Sequence, residues 1–154
     1  MARFTVLGGT GFVGAHLARF LRACGDEVAV PPRDAALSGD LSHVVYAIGL
    51  TADFRTRPFA TIEAHVCRLS RLLERAKFES LLYLSSTRVY ARTSVALEDM
   101  ALAVDPTVTD DLYNVSKLAG ESLCLSRETP TVRVARETSA SRETCAGASS
   151  TRPS

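Results

Sequence analysis

The chain has 154 residues, enough for one domain, with 46% hydrophobic residues, 23% charged residues and a formal net charge of +1. That balance excludes a disordered chain, and the near-zero charge removes any electrostatic case for nucleic acid or an anionic membrane as partner. No apolar run approaches the roughly 18 residues that span a bilayer, and the short apolar stretch after Arg3 runs straight into glycines, unlike a secretory signal.

The first element, Arg3–Leu7, is short, β-branched and aromatic and stops at Gly8, as a buried strand does. From Phe12 the apolar residues change to helical spacing (Phe12, Val13, His16, Leu17, Phe20, Leu21), and Gly25 ends the helix. Residues 28–30 read as a second strand closed by Pro31 and Pro32, and residues 44–48 as a third closed by Gly49. Residues 59–77 predict a helix whose apolar face is Ile62, Val66, Leu69, Leu72, Leu73 and Ala76. Residues 81–84 form a fourth strand. Asp110 and Asp111 are placed to cap a helix over 112–125, and residues 131–135 form a fifth strand. Strands alternating with helices imply an α/β fold, a Rossmann-like doubly wound parallel sheet of about five strands. From 137 to 154 there is no Val, Ile, Leu, Met or aromatic residue. The expected organisation is therefore a domain over 1–136 and a disordered polar tail over 137–154.

Gly8-Gly9-Thr10-Gly11-Phe12-Val13-Gly14 joins the first strand to the first helix. The tight turn needs backbone angles that suit glycine, and a pyrophosphate needs close approach to the backbone with no Cβ in the way. The helix start, with Thr10, Phe12 and Val13, offers free N–H groups to the anion. Gly14 allows the helix to pack closely on the strand. A lone glycine triplet also fits a simple turn; the strand before it and helix after it favour a dinucleotide, NAD or NADP. At the end of the second strand Pro31 stands where an acidic residue would take the ribose hydroxyls. Arg33 could pair with a 2′-phosphate, Asp34 is a rival ribose ligand, and both could be solvated turn residues. Arg33 tips the choice slightly to NADP.

Tyr113-Asn114-Val115-Ser116-Lys117 lies on the last helix, and the i, i+4 spacing puts Tyr113 and Lys117 on one face. A nearby ammonium favours the phenolate, so the pair can act as general acid/base, and Lys117 can also bond a ribose. The alternative is a surface Lys beside a half-buried Tyr. Ser85 and Ser86 end the fourth strand, where ligands bind in open α/β sheets and where Ser also caps ordinary strand ends. Cys24, Cys67, Cys124 and Cys145 form no CxxC pair, and His16, His43 and His65 lack partners at ligand spacing. No metal is expected, and the first three cysteines read as helix residues in a reducing cytoplasm.

Taken together, the glycine loop, Tyr83-Leu84-Ser85-Ser86-Thr87-Arg88-Val89-Tyr90 and Tyr113-Asn114-Val115-Ser116-Lys117-Leu118-Ala119-Gly120-Glu121 resemble the extended short-chain dehydrogenase/reductases, the nucleotide-sugar epimerases and dehydratases. The resemblance covers roughly residues 2–136. It implies that Ser86, four residues before Tyr90, is the catalytic Ser/Thr, Tyr113 the acid/base and Lys117 its partner on the cofactor ribose. It implies that Ala47, Ile48 and Gly49 line the cofactor and that Asp40 lies near the adenine. His65 stands where the family usually has Asn, Ala91 replaces a Gly, and the short span from Asp40 to Val44 implies a shortened crossover. The apolar pattern stops at Ala135, whereas family members continue the sheet and add a substrate domain, so the C-terminal substrate domain is expected to be missing. The implied function is NAD(P)-dependent oxidation, epimerisation or dehydration of a sugar nucleotide or similar alcohol or carbonyl substrate, in a cytoplasmic protein for which a homodimer is one candidate assembly. The alternative is a non-catalytic NAD(P)-binding module or an inactive truncated fragment.

Overall fold

The computed structural model describes residues 1–50, 52–94, 96–97, 100–127 and 132–135. The expected tail over 137–154 lies outside the described residues, as do Thr131 and Arg136. In chain order the elements are β1 (Arg3–Leu7), α1 (Phe12–Ala23), β2 (Glu27–Ala29), β3 (Gly39–Asp40), β4 (His43–Tyr46), α2 (Pro58–Ile62), α3 (Arg68–Arg75), β5 (Ala76–Lys77), β6 (Ser80–Leu84), α4 (Leu112–Leu125) and β7 (Val132–Ala135). A π-helical turn, Glu63–Cys67, joins α2 to α3, and 3-10 turns cover Thr87–Tyr90 and Thr109–Asp111.

Five strands form one parallel sheet in the order β2-β1-β4-β6-β7, as expected for a Rossmann-like fold. The register aligns Leu7 with Tyr46, Tyr46 with Tyr83 and Tyr83 with Val134. Alternate side chains therefore serve two cores. On one face Val6 and Val45 meet Ala18 of α1, with Leu82 and Leu84 at the margin. On the other, Leu7, Val44, Tyr46, Leu81 and Tyr83 pack under α3 and α4.

The crossovers obey this division. The step from β1 to β2 carries α1 on one face. The step back from β2 to β4 carries no helix; its Leu37 and Leu41 lie on the opposite face, against the α3 core. This is the shortened crossover the sequence implied, held partly by a two-residue parallel pairing of β3 with β5 that no sequence pattern announced.

The middle helix differs from its expected form. It starts at Pro58, ends at Arg75 and contains the π turn. A π turn inserts extra backbone per rotation and shifts the phase of the inward face. The buried residues are accordingly Thr61, Ala64, His65, Leu69, Leu72 and Leu73, while Ile62 and Val66 turn aside to half-buried positions. Asp110 and Asp111 also depart from the cap assigned to them. Asp110 takes a bidentate bond from Arg55, and Asp111 accepts from Arg92 Nε and the Asp105 N–H, both at 2.7 Å. Neither side chain caps α4.

Gly8 and Gly14 fix the turn from β1 into α1. Gly8 has φ of +82°, and a Cβ there would lie 2.7 Å from the Ala47 carbonyl carbon; a Cβ on Gly14 would strike the Gly8 carbonyl. Both obstructions are backbone, which cannot swing away. Gly14→Ala is expected to lower stability by about 1–3 kcal/mol, read as a reduced urea midpoint with an unchanged m-value; an unchanged midpoint would show that the turn tolerates a side chain.

Candidate active site

Parallel strands deliver their C-terminal ends to one edge, and the aligned register brings three of those ends side by side. Gly8 follows β1, Ala47 to Gly49 follow β4, and Ser85 and Ser86 follow β6, on neighbouring strands about 4.8 Å apart. The Ala47 N–H donates to the Leu7 carbonyl at 2.8 Å, which draws the β4 end against the glycine loop. Gly11 is the N-cap of α1 and supplies no side-chain cap; the Gly11 N–H donates back to the Gly8 carbonyl at 2.9 Å and tightens the turn. Thr10, Gly11, Phe12 and Val13 are exposed, no acidic residue occupies the first turn, and the helix start faces solvent. An uncapped, positive helix end in a glycine turn fits the pyrophosphate of a dinucleotide.

α4 supplies the second wall. Its inward face is Tyr113, Asn114, Ser116, Lys117, Gly120, Glu121 and Cys124, so the buried side of this helix is largely polar. Lys117 is 4% exposed and its Nζ donates to the Leu84 carbonyl at 2.9 Å, with the ammonium 5.1 Å from the centre of the Tyr83 ring. Burial lowers its pKa from 10.5 to about 8, while Glu121 one turn on pulls it back up. Ser85 donates to the Glu121 carboxylate. Ser86, half-buried, accepts the Arg88 N–H at 3.2 Å and starts the 3-10 turn. Gly120 admits the Tyr83 hydroxyl into the space a side chain would fill.

Tyr113 is buried in a ring cluster. Phe54 lies 5.3 Å away, the His65 ring meets it edge-on at 5.1 Å, and the Arg88 guanidinium is 5.4 Å from the ring centre. His65 is 0% exposed. Burial, and secondarily the Lys117 charge, push its pKa down from 6.5 to about 3, so the ring is neutral. Gly49 is exposed, and a Cβ there would lie 3.4 Å from His65 Nε2 and 3.6 Å from Lys117 Nζ, so the floor after β4 backs directly onto these two side chains.

The structure therefore gathers Gly8, Thr10, Gly11, Phe12, Val13, Gly14, Ala47, Gly49, Ser86, Tyr113 and Lys117 at one edge of the sheet. Val30, immediately after β2, packs on Gly9, and Arg33 sits exposed three residues on, in the turn closed by the Ala35 N–H on the Pro32 carbonyl. Asp40 is not brought there, which corrects the expectation that it lies by the adenine. Its carboxylate is 3.8 Å from Arg3, at the opposite end of β1, and accepts the Ser42 N–H. The lost crossover helix leaves β3 paired with β5, at the start of β6 rather than the end. Motif reading alone did not point to the Leu84 carbonyl or to Ser116 and Glu121 as partners; their spacing from Tyr113 and Lys117, three and four residues, was the available signal.

This geometry defines the class of Rossmann-like α/β proteins with a parallel sheet and a glycine loop at the strand ends. A family model described as NAD dependent epimerase/dehydratase family matches residues 33–134. The chain belongs to that family. Among solved structures it is similar to RMD from Pseudomonas aeruginosa in complex with NADPH (29% identity, TM-score 0.67, covering 88% of this chain and 52% of that one). It is also similar to MoeE5 in complex with UDP-glucose and NAD (25% identity, TM-score 0.67, 87% and 52%). UDP-glucuronic acid 4-epimerase from Bacillus cereus shares the fold at 20% identity, with a TM-score of 0.68, over 87% of this chain and 55% of that one. The chain thus spans about half the length of these proteins. No curated protein sequence matches it. No helix among the described residues is long and apolar enough to cross a membrane.

The neutral, buried His65 makes stability pH-dependent. The unfolded chain takes up a proton below about pH 6.5 that the folded chain refuses until about 3. This contribution is complete above 6.5 and is lost progressively as pH falls through that window. Between pH 6.5 and 5, where unfolded carboxylates are still ionised, unfolding free energy is expected to fall by roughly 1 kcal/mol per pH unit. Urea titrations at several pH values check this, and His65→Gln should flatten the slope.

Proposed function

We propose that this chain is the nucleotide-binding part of an NAD(P)-dependent epimerase, dehydratase or reductase acting on a sugar nucleotide or a similar alcohol or carbonyl compound. The observation that carries this reading is the buried Tyr113–Lys117 face of α4, set at the strand ends beside the uncapped start of α1. The glycine loop, through the backbone of Gly8, Thr10, Gly11, Phe12, Val13 and Gly14, holds the pyrophosphate. Ala47 and Gly49 form the floor, Lys117 donates to the ribose, and Tyr113 removes the proton of a substrate hydroxyl. Ser86, whose oxygen accepts only a long backbone bond at 3.2 Å, keeps its O–H to orient the substrate oxygen. The bound dinucleotide supplies the hydride acceptor. Similarity to proteins solved with NADPH and with UDP-glucose and NAD supports this cofactor and substrate class. The exposed Arg33 in the turn after β2 favours NADP over NAD.

A second reading is a module that binds the cofactor without turnover. Titration with NADPH and NADH, followed by cofactor fluorescence, tests both. Saturable binding is expected, with Arg33→Ala weakening NADPH about tenfold and leaving NADH unchanged. Tyr113→Phe should abolish turnover and preserve affinity; absence of turnover in both forms supports the module, and absence of any binding removes the cofactor assignment.

The free Cys24, Cys67 and Cys124 support a cytoplasmic setting. A homodimer is supported by the outer side of α2 and α4. Phe59 is 88% exposed there, and Phe54, Pro58, Pro106, Leu112 and Val115 line a largely apolar cavity of about 460 Å³. Phe59→Asp is expected to convert a dimer to monomer in sedimentation velocity; a wild-type chain that sediments as monomer rejects this assembly.

A further inference from the structure

The imidazole of His65 is bonded on both sides, and the two bonds fix its protonation. The Leu50 N–H donates to Nε2 at 3.2 Å, so Nε2 carries a lone pair. In a neutral ring the proton then sits on Nδ1, which lies 2.8 Å from Ser116 Oγ and donates to it. The Ser116 hydroxyl in turn donates a hydrogen bond to the Tyr113 carbonyl, also at 2.8 Å. Donors thus run in one direction, from the residue after Gly49, through His65 and Ser116, to the backbone of the residue that carries the phenol. Both His65 and Ser116 are 0% exposed, so water cannot replace either bond. The π turn Glu63–Cys67 is centred on His65 and rotates it into this position, while the Ala64 carbonyl it presents accepts the Tyr46 hydroxyl at 2.6 Å.

We propose that His65 is a positioning residue, a directional clamp between the Gly49–Leu50 floor and the α4 turn bearing Tyr113, and that the clamp works only with the proton on Nδ1. The opposite tautomer has no lone pair for Leu50. The doubly protonated ring has none either, and burial, with the neighbouring Lys117 ammonium second, disfavours that form. The consequence for turnover rests on the proposed cofactor site; the clamp itself does not.

Two substitutions separate the two bonds. The amide oxygen of Gln reaches the Nε2 position and keeps an acceptor for Leu50, whereas the amide nitrogen of Asn reaches the Nδ1 position and keeps a donor for Ser116. Amide hydrogen exchange of Leu50 should stay within about threefold of wild type in His65→Gln and accelerate by about tenfold or more in His65→Asn. With cofactor, His65→Gln should keep NAD(P)H affinity within about twofold while lowering kcat, and His65→Asn should weaken affinity by about fivefold or more. Nitrogen NMR of the wild-type ring should show a protonated Nδ1 and a bare Nε2. Identical Leu50 exchange in the two variants overturns the proposal, and so does a proton on Nε2. If a variant does not fold, the wild-type NMR measurement decides. A Leu50 difference in a chain that binds no cofactor upholds the clamp and rejects the cofactor reading alone.

Discussion

The burial of a lysine ammonium under a helix sets the terms for the rest of the site. Removing a charge from water costs several kcal/mol unless polar groups replace the lost hydration. Lys117 obtains that replacement from the carbonyl of Leu84, the face of the Tyr83 ring and the Glu121 carboxylate one turn along α4. Leu84 is the last residue of β6, so its carbonyl lies at the C-terminal end of the strand. The charge therefore pins α4 to the C-terminal edge of the sheet. Gly120 lets the helix come close enough, and Ser85 orients the compensating carboxylate. Tyr113 and Ser116 reach the same edge because helical spacing leaves them no other direction.

The polar face of α4 also explains what could be read from the sequence and what could not. Most strands of the five-stranded sheet were legible because they are short apolar runs closed by glycine, proline or serine. The candidate site residues could be picked out because they sit at fixed offsets: the glycine loop after β1, the serines after β6, the Tyr/Lys pair on a helix. Phase within helices was less secure. Ile62 and Val66 looked like core because a regular helix would turn them inward, and the π turn presents Thr61 and His65 instead. Spacing counts residues and cannot register extra backbone in one turn. The pairing of β3 with β5 was invisible for a different reason, since two residues carry no periodicity. Asp40 was misplaced by analogy: the motif around it is retained, but the chain that carries it takes another route.

That route illustrates how a sheet tolerates loss of a connecting helix. The crossover from β2 must traverse the face shared with α3, and Leu37 and Leu41 are sufficient to cover the strands there. The hydrophobic requirement is met by two side chains on an irregular segment, while its polar groups are met by an aspartate turn at Ser42, by the Thr5 hydroxyl donating to the Leu41 carbonyl and by Arg3 on the Ser42 hydroxyl. The similarity to solved structures over 87–88% of this chain includes this crossover and the sheet around it.

The same economy leaves β2 as an edge strand of three residues, none of them buried, followed by a crossover with two anchors. Cooperative opening begins where apolar contact is thinnest, so this corner is expected to separate from the β1–β4–β6 centre at a lower free energy than global unfolding requires. It is the thinnest-packed corner of the sheet, and it carries Arg33. Any ligand that grips that arginine draws part of its binding energy away to close the corner, and its affinity reports the local opening equilibrium as well as the contacts it makes.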